Sequence, residues 1–186
     1  TASNTLAGAA CCGLGVGPNR IDSILGVAKA YTTRVGEGPF PTEFDPDLAE
    51  RVRQKAKEYG ATTGRPRRCG WFDTVAVKFS VRVNGIGTLA ITRLDVLDDL
   101  EVLKIAVGYE YEGAVLTEFP ASTDLLGKVR PVYEEMGGWH TPTGRIREYE
   151  GLPPQAKAYL KRIEELVGAR ISIISVGPER DDTIVH

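Results

Sequence analysis

Three short segments hold most of the side chains capable of selective chemistry. The first is GATTGRPRRCGW, Gly60 to Trp71, in which two hydroxyls and three guanidinium groups fall within a few residues of one another. Guanidinium forks match carboxylate and phosphate oxygens in pairs, so this pattern points to an anion site. Pro66 stiffens the segment, while the flanking glycines permit backbone conformations that other residues resist. The same residues also fit a solvated basic turn. The second segment is ITRLDVLD, Ile91 to Asp98, a strand running into a carboxylate. At a strand tip, Asp95 can accept two hydrogen bonds from the N1 and N2 donors of guanine, an arrangement that adenine does not present. A site built on such paired groups rejects the wrong analogue strongly, because its own polar atoms are otherwise left unpaired. Asp95 equally suits a cap on the following turn. The third segment is IISVGPER, Ile173 to Arg180, a strand entering a Ser-x-Gly-Pro turn. Such a turn exposes backbone donors, and Gly177 has no side chain to keep a flat ring away. Taken alone it is a strand end.

Other chemistries lack their residues. His140 and His186 are the two histidines, and the three cysteines, Cys11, Cys12 and Cys69, form no CxxC spacing. A Ser-His-Asp device or a His-rich metal site is hard to assemble from these, which leaves Arg, Asp, Thr and backbone groups to do the work. The odd cysteine count fits a reducing cytoplasm. The net charge is -2, and Lys and Arg are scattered except around residues 65–68, which argues against a nucleic-acid partner. No apolar run approaches the ~20 residues that would span a bilayer. Gly13, Gly15 and Gly17 invite a phosphate-loop reading, but no Lys-Ser or Lys-Thr follows at the required spacing, so a tightly packed small-residue segment is expected over residues 1–20. The chain starts at Thr1 and its one methionine is Met136, which suggests a piece of a longer protein.

The elements that must carry these segments can be read in outline. Ile21, Ile24, Leu25 and Ala28 share a face at helical spacing, predicting a helix onward from Pro18. A second helix is predicted from Asp45, a capping residue followed by Pro46, with Leu48, Val52, Ala56 and Tyr59 on one face and Gly60 at its end. Residues 73–83, DTVAVKFSVRV, alternate like a strand although Asp73 would cap a helix. Strands are expected at 88–94, 102–109 and 171–175, a hairpin at 109–117, and an amphipathic helix from Pro153 to Val167 ended by Gly168. Interleaved strands and helices place the chain in the α/β class, one domain over residues 1–186, with a mostly parallel sheet flanked by helices. Ligands are then expected beyond the carboxyl ends of the strands.

The segments TASNT, GVGPNRIDSILGVAKAYTTRVGEGPFPTE, GATTGRPRRCGWFDTVAV, TRLDVLD, GLPPQAKAYLKRIEEL and ISVGPERDDTI occur in the order found in adenylosuccinate synthetases. The chain resembles that family over nearly its whole length. The resemblance implies a P-loop-NTPase-like fold for the full-length family, of which this would be the C-terminal portion, and it favours a helix at 73–83. It implies an enzyme in which GTP, accompanied by Mg2+, phosphorylates the 6-oxygen of inosine monophosphate (IMP), after which the amino group of L-aspartate displaces the phosphate.

Carried over by position, Thr1 would contact the IMP phosphate and Val35 would lie near the nucleotide ribose. Ala61, Thr62, Thr63, Gly64, Arg65, Pro66 and Arg67 would form the aspartate-binding loop, with Arg65 also reaching IMP and Arg67 the GTP side. Asp95, with Arg93 and Leu94, would read guanine, and Ser175, Val176 and Gly177 would line its pocket. Two positions depart from the pattern: Arg93 stands where the family has Lys, and Pro66 interrupts a run of arginines. The resemblance places the phosphate loop and the catalytic aspartate and histidine upstream of Thr1, so no catalytic residue and no metal ligand is expected here and this segment alone should be inactive. It also implies a cytoplasmic homodimer. The rival expectations are a stand-alone guanine-nucleotide-binding module without catalysis and an anion-binding regulatory domain.

Overall fold

The computed structural model describes residues 5–186. Among these, ten strands and five α-helices alternate along the chain, and no helix is long and apolar enough to cross a membrane.

The main sheet contains β1 (Leu25–Lys29), β5 (Thr88–Thr92), β9 (Arg170–Ser175) and β10 (Thr183–Val185), in the spatial order β1-β5-β9-β10. The first three are mutually parallel and β10 runs antiparallel at one edge. At the other edge, β1 pairs only with β5 among the described residues. A second sheet is built on the long strand β6 (Val102–Tyr111). It pairs antiparallel with β8 (Arg130–Gly137) along one side, and with parallel β4 (Phe72–Asp73) and antiparallel β7 (Ala114–Leu116) along the other. A small antiparallel ribbon joins β2 (Thr32–Arg34) to β3 (Arg68–Gly70). The α/β expectation holds, with both larger sheets mixed.

The helices largely follow their sequence signals. In α2 (Pro46–Ala56) the Asp45 side chain accepts from the Leu48 N–H at 3.0 Å, and Ala49, Val52 and Ala56 are buried. It stops at Lys57, which adopts the left-handed conformation, three residues short of the expected Gly60. Residues Thr74–Asn84 form α3. Its Asp73 cap accepts from the Ala76 N–H at 3.1 Å and from the Tyr109 hydroxyl at 2.6 Å. A satisfied cap thus prevails over the alternating valines. The last long helix, α5 (Pro154–Val167), buries Ala156, Tyr159, Leu160 and Ile163, and the Tyr159 hydroxyl donates to the Ala30 carbonyl just beyond β1. The short α4 spans Thr123–Leu126.

Two expectations near the start of the chain fail. Residues Pro18–Arg20 form a single 3-10 turn, and Leu25–Lys29 is strand β1 rather than helix. Pairing with β5 outweighs the helical spacing, and Gly26 suits it: a Cβ there would come within 2.8 Å of Ile86 and Leu89 side-chain atoms. Residues 5–20 of the small-residue segment are not tightly packed either. Helix α1 (Ala9–Leu14) buries none of its residues, and the segment is tied to α3 by Asn84 Oδ1, which accepts from the Ala7 N–H at 2.7 Å.

Candidate functional site

The carboxyl ends of β1, β5 and β9 lie side by side, because Lys29 pairs with Thr92 and Ile91 with Ile174. The three chemistry-bearing segments emerge at or beside this edge. A parallel sheet collects ligand-binding loops there, since each strand must leave on the same side.

Beyond β5 the chain turns sharply. Arg93 has φ 64° and ψ 34°, a conformation unusual for a residue with a side chain. Its guanidinium donates to the Ala56 carbonyl at the end of α2, at 2.8 Å. The 3-10 turn Leu94–Leu97 follows, anchored by the buried side chains of Leu94, Val96 and Leu97. Asp95 therefore sits three residues past the strand, on a turn nailed into the core on both sides. Its Oδ1 is buried and accepts no hydrogen bond. Burial, reinforced by the neighbouring Asp98 charge, holds the Asp95 carboxyl above the usual carboxylate range.

Asp98 is buried as well, but fully used. Its Oδ1 accepts from Trp139 Nε1 at 2.7 Å and Thr143 Oγ1 at 2.9 Å, and its Oδ2 from the Thr143 N–H at 2.8 Å. The segment that supplies these donors continues to Arg147, whose Nη2 donates to Asp182 Oδ1 at 2.6 Å. Asp182 Oδ2 in turn accepts from the Glu179 N–H at 2.9 Å, and the Asp182 carbonyl accepts from the Val176 N–H at 2.9 Å. Residues 139–147 thus brace the turn after β5 to the turn after β9.

In that second turn Val176 is fully buried, and Ser175 Oγ donates to the Gly177 carbonyl at 2.8 Å. The space left by the missing Gly177 side chain is taken up within the protein, since a Cβ there would collide with the Asp182 carboxylate. The bracing carboxylate thus requires a residue without a side chain at 177.

The loop 60–67 is different in kind. Its neck is closed by the Tyr59–Pro66 bridge, by the Gly60 N–H donating to the Arg65 carbonyl at 2.8 Å, and by the Arg67 N–H donating to the Glu58 carbonyl at 2.9 Å. Ala61, Thr62, Thr63, Gly64, Arg65 and Pro66 are all exposed. The Arg65 guanidinium has no partner among the described residues, whereas Arg67 Nη1 donates to Glu58 Oε2 at 2.8 Å. Arg68 is excluded from any anion site: its guanidinium is engaged by the Glu43 carboxylate at 2.7 and 2.5 Å and by the Gly38 carbonyl at 2.8 Å. The cluster of three guanidinium groups is in fact two.

Val35 follows β2, whose pairing of Arg34 with Arg68 places it close to the exit of the loop, and it is 66% exposed. The end of α2 joins the two halves of the site, receiving Arg93 at the Ala56 carbonyl, while Arg53 Nε donates to the Arg67 carbonyl at 3.0 Å. Thr1 lies outside the described residues. Sequence reasoning missed Glu58, Asp98, Thr143 and Arg147. Only Glu58 carried a signal, an acidic residue directly before an arginine-rich loop. Among the described residues no three His, Cys, Asp or Glu side chains are grouped to hold a metal ion.

Comparison with known proteins places this geometry. The family model described as adenylosuccinate synthetase matches residues 1–184. The chain is 54% identical over 185 residues to the adenylosuccinate synthetase of Geotalea daltonii and 55% identical to that of Thermodesulfovibrio yellowstonii, covering all of this chain and 43% and 44% of those proteins. It therefore spans less than half the length of these relatives. The structure of fully ligated adenylosuccinate synthetase from Plasmodium falciparum superposes with a TM-score of 0.96 at 37% identity, covering this whole chain and 45% of that one.

Proposed function

Since the chain belongs to the adenylosuccinate synthetase family, we propose that it supplies the aspartate-binding loop and the guanine-reading turns of an enzyme that joins L-aspartate to IMP at the expense of GTP. The observation that carries this reading is the buried Asp95 Oδ1, an acceptor without a donor on a braced turn beside Ser175–Gly177. An isolated buried carboxylate oxygen costs stability, and a guanine presenting its N1 and N2 hydrogens would supply the missing partners.

In this mechanism Thr62, Thr63, Arg65 and Arg67 hold the two carboxylates of aspartate, which leaves its amino group free to attack. Arg65 also meets IMP, Val35 packs near the ribose, and Arg67 reaches the GTP side. Asp95, with Leu94 and the turn 175–177, selects guanine. Arg93 contributes by fixing the turn through Ala56. The 6-oxygen of IMP attacks the γ-phosphorus of GTP, releasing GDP. The aspartate nitrogen then attacks carbon 6 and phosphate departs. Mg2+, which offsets phosphate charge when bound, and the groups that move protons and phosphate are assigned to the rest of the family's chain. The segment is accordingly inactive alone, and the full enzyme is read as a cytoplasmic homodimer.

The test is Asp95→Asn in the full-length enzyme. Wild type should discriminate GTP from inosine triphosphate, which lacks the 2-amino donor, and the variant should raise the KM for GTP by roughly 100-fold and lose that discrimination. Unchanged use of GTP would sink the reading.

A further inference from the structure

Glu58 is the charged side chain most deeply buried at the site, 1% exposed. Both carboxylate oxygens are engaged. Oε1 accepts from Lys29 Nζ and from the Tyr31 hydroxyl, each at 2.6 Å, and Oε2 accepts from Arg67 Nη1 at 2.8 Å. Burial alone would raise its pKa, but the hydrogen bonds from Lys29, Tyr31 and Arg67 bring it below the ordinary value, so it is a carboxylate at neutral pH.

Three features separate this cluster from a routine buried ion pair. First, Arg67 is held twice by one residue, since the Glu58 carbonyl also accepts from the Arg67 N–H. The orientation of the guanidinium is therefore set together with the exit of the loop. Second, one carboxylate faces two cations, which leaves a positive charge uncompensated where the loop returns to the fold. Third, only Nη1 of Arg67 is spent, and the rest of its fork has no partner among the described residues. For stability alone such a device is poor, because buried ion pairs are often replaced by apolar residues without loss. For holding a guanidinium at a fixed angle it is well suited, because the geometry is enforced from three elements: the end of β1, Tyr31 between β1 and β2, and the segment after α2.

We propose that Glu58 is a positioning residue for aspartate binding, holding Arg67 by one nitrogen so that the remaining donors are set to receive a substrate carboxylate. This rests on the functional reading given above. Lys29, which also donates to Thr33 Oγ1 at 3.0 Å, is fixed by the same carboxylate.

The experiment is steady-state kinetics of the full-length enzyme with Glu58→Gln, Glu58→Asp, Arg67→Met and the Glu58→Gln/Arg67→Met double variant, each with its thermal midpoint recorded. Glu58→Gln should raise the KM for aspartate about tenfold, the size of coupling seen between neighbouring charged groups. The KM for IMP should stay near wild type, and Glu58→Asp should recover part of the loss. In the Arg67→Met background, Glu58→Gln should add little, because its effect passes through Arg67. An active wild type whose folded Glu58→Gln variant keeps its KM for aspartate overturns the inference alone, as does full additivity in the double variant. A wild type that forms no adenylosuccinate overturns the functional reading instead. Should Glu58→Gln fail to fold, Glu58→Asp takes its place: a raised KM for aspartate supports the inference, and an unchanged one overturns it.

Discussion

The turns after β5 and β9 and the loop 60–67 flank the same end of the molecule but are built on opposite plans. The turns are fixed by buried leucines and valines beneath them and by a lateral brace, Trp139 and Thr143 on Asp98 and Arg147 on Asp182. The loop is fastened at its neck, by backbone bonds and Glu58, and everything from Ala61 to Pro66 stands in solvent. Reading a neutral ring demands donors and acceptors held in register before the ligand arrives, because a misplaced partner loses most of its discrimination. Capturing an anion with guanidinium forks is more forgiving, since charge-assisted bonds are strong and an exposed loop can close around its ligand. The brace is thus expected where selectivity is needed, and freedom where capture is needed.

The comparison can be broken most directly at Asp98. Asp98→Ala should destabilise the chain by about 3 kcal/mol, because Trp139 Nε1 and two Thr143 donors are left buried without an acceptor. Urea denaturation measures this, and a cost below about 1 kcal/mol would mean that the brace bears little. Arg65→Ala is the counterpart on the loop. It should leave the unfolding free energy within about 0.5 kcal/mol of wild type, since the side chain is exposed and unpaired. In the full-length enzyme it should raise the KM for aspartate up to about 100-fold, the loss of charge-assisted hydrogen bonds. Equal damage to stability and binding would erase the distinction.

Gly177→Ala sharpens it further. The new methyl must displace the Asp182 carboxylate, so a loss of roughly 2 kcal/mol in chemical denaturation is expected even without ligand.

The smallest effect has the opposite sign. Burial and Asp98 raise the Asp95 pKa, so the folded chain is penalised once the carboxyl ionises. The penalty is absent below the unfolded-state pKa, grows as pH rises toward the folded-state value, and is complete above it. Asp95→Asn should therefore stabilise the chain by about 1 kcal/mol or less at neutral pH, and the gain should vanish as pH falls below the carboxylate range. A gain independent of pH would show that the charge is not the cause.

Much of this was legible in the sequence where one local rule was decisive. Asp45 with Pro46 announced α2, and the branched residues of β5, β6 and β9 announced strands. The resemblance settled α3, where the valines alone pointed the wrong way and the satisfied Asp73 cap decides. Misreadings cluster where a distant partner decides. β1 reads as helix until β5 lies beside it, and the packing of Asp182 against Gly177 has no local sign in the sequence. Arg68 counts toward an anion site until Glu43 is found 25 residues away in sequence. Local patterns cannot report which polar groups meet across the fold, and the brace and Glu58 depend on such meetings.

The edge strand β1 has a practical consequence. Its outer row of backbone groups is unpaired among the described residues, and Leu25 and Val27 on it are 45% and 72% exposed. An uncovered strand edge with apolar side chains is a template for intermolecular pairing. Anyone expressing this segment by itself should meet concentration-dependent aggregation, and a lysine in place of Val27 is the natural gatekeeper to suppress it.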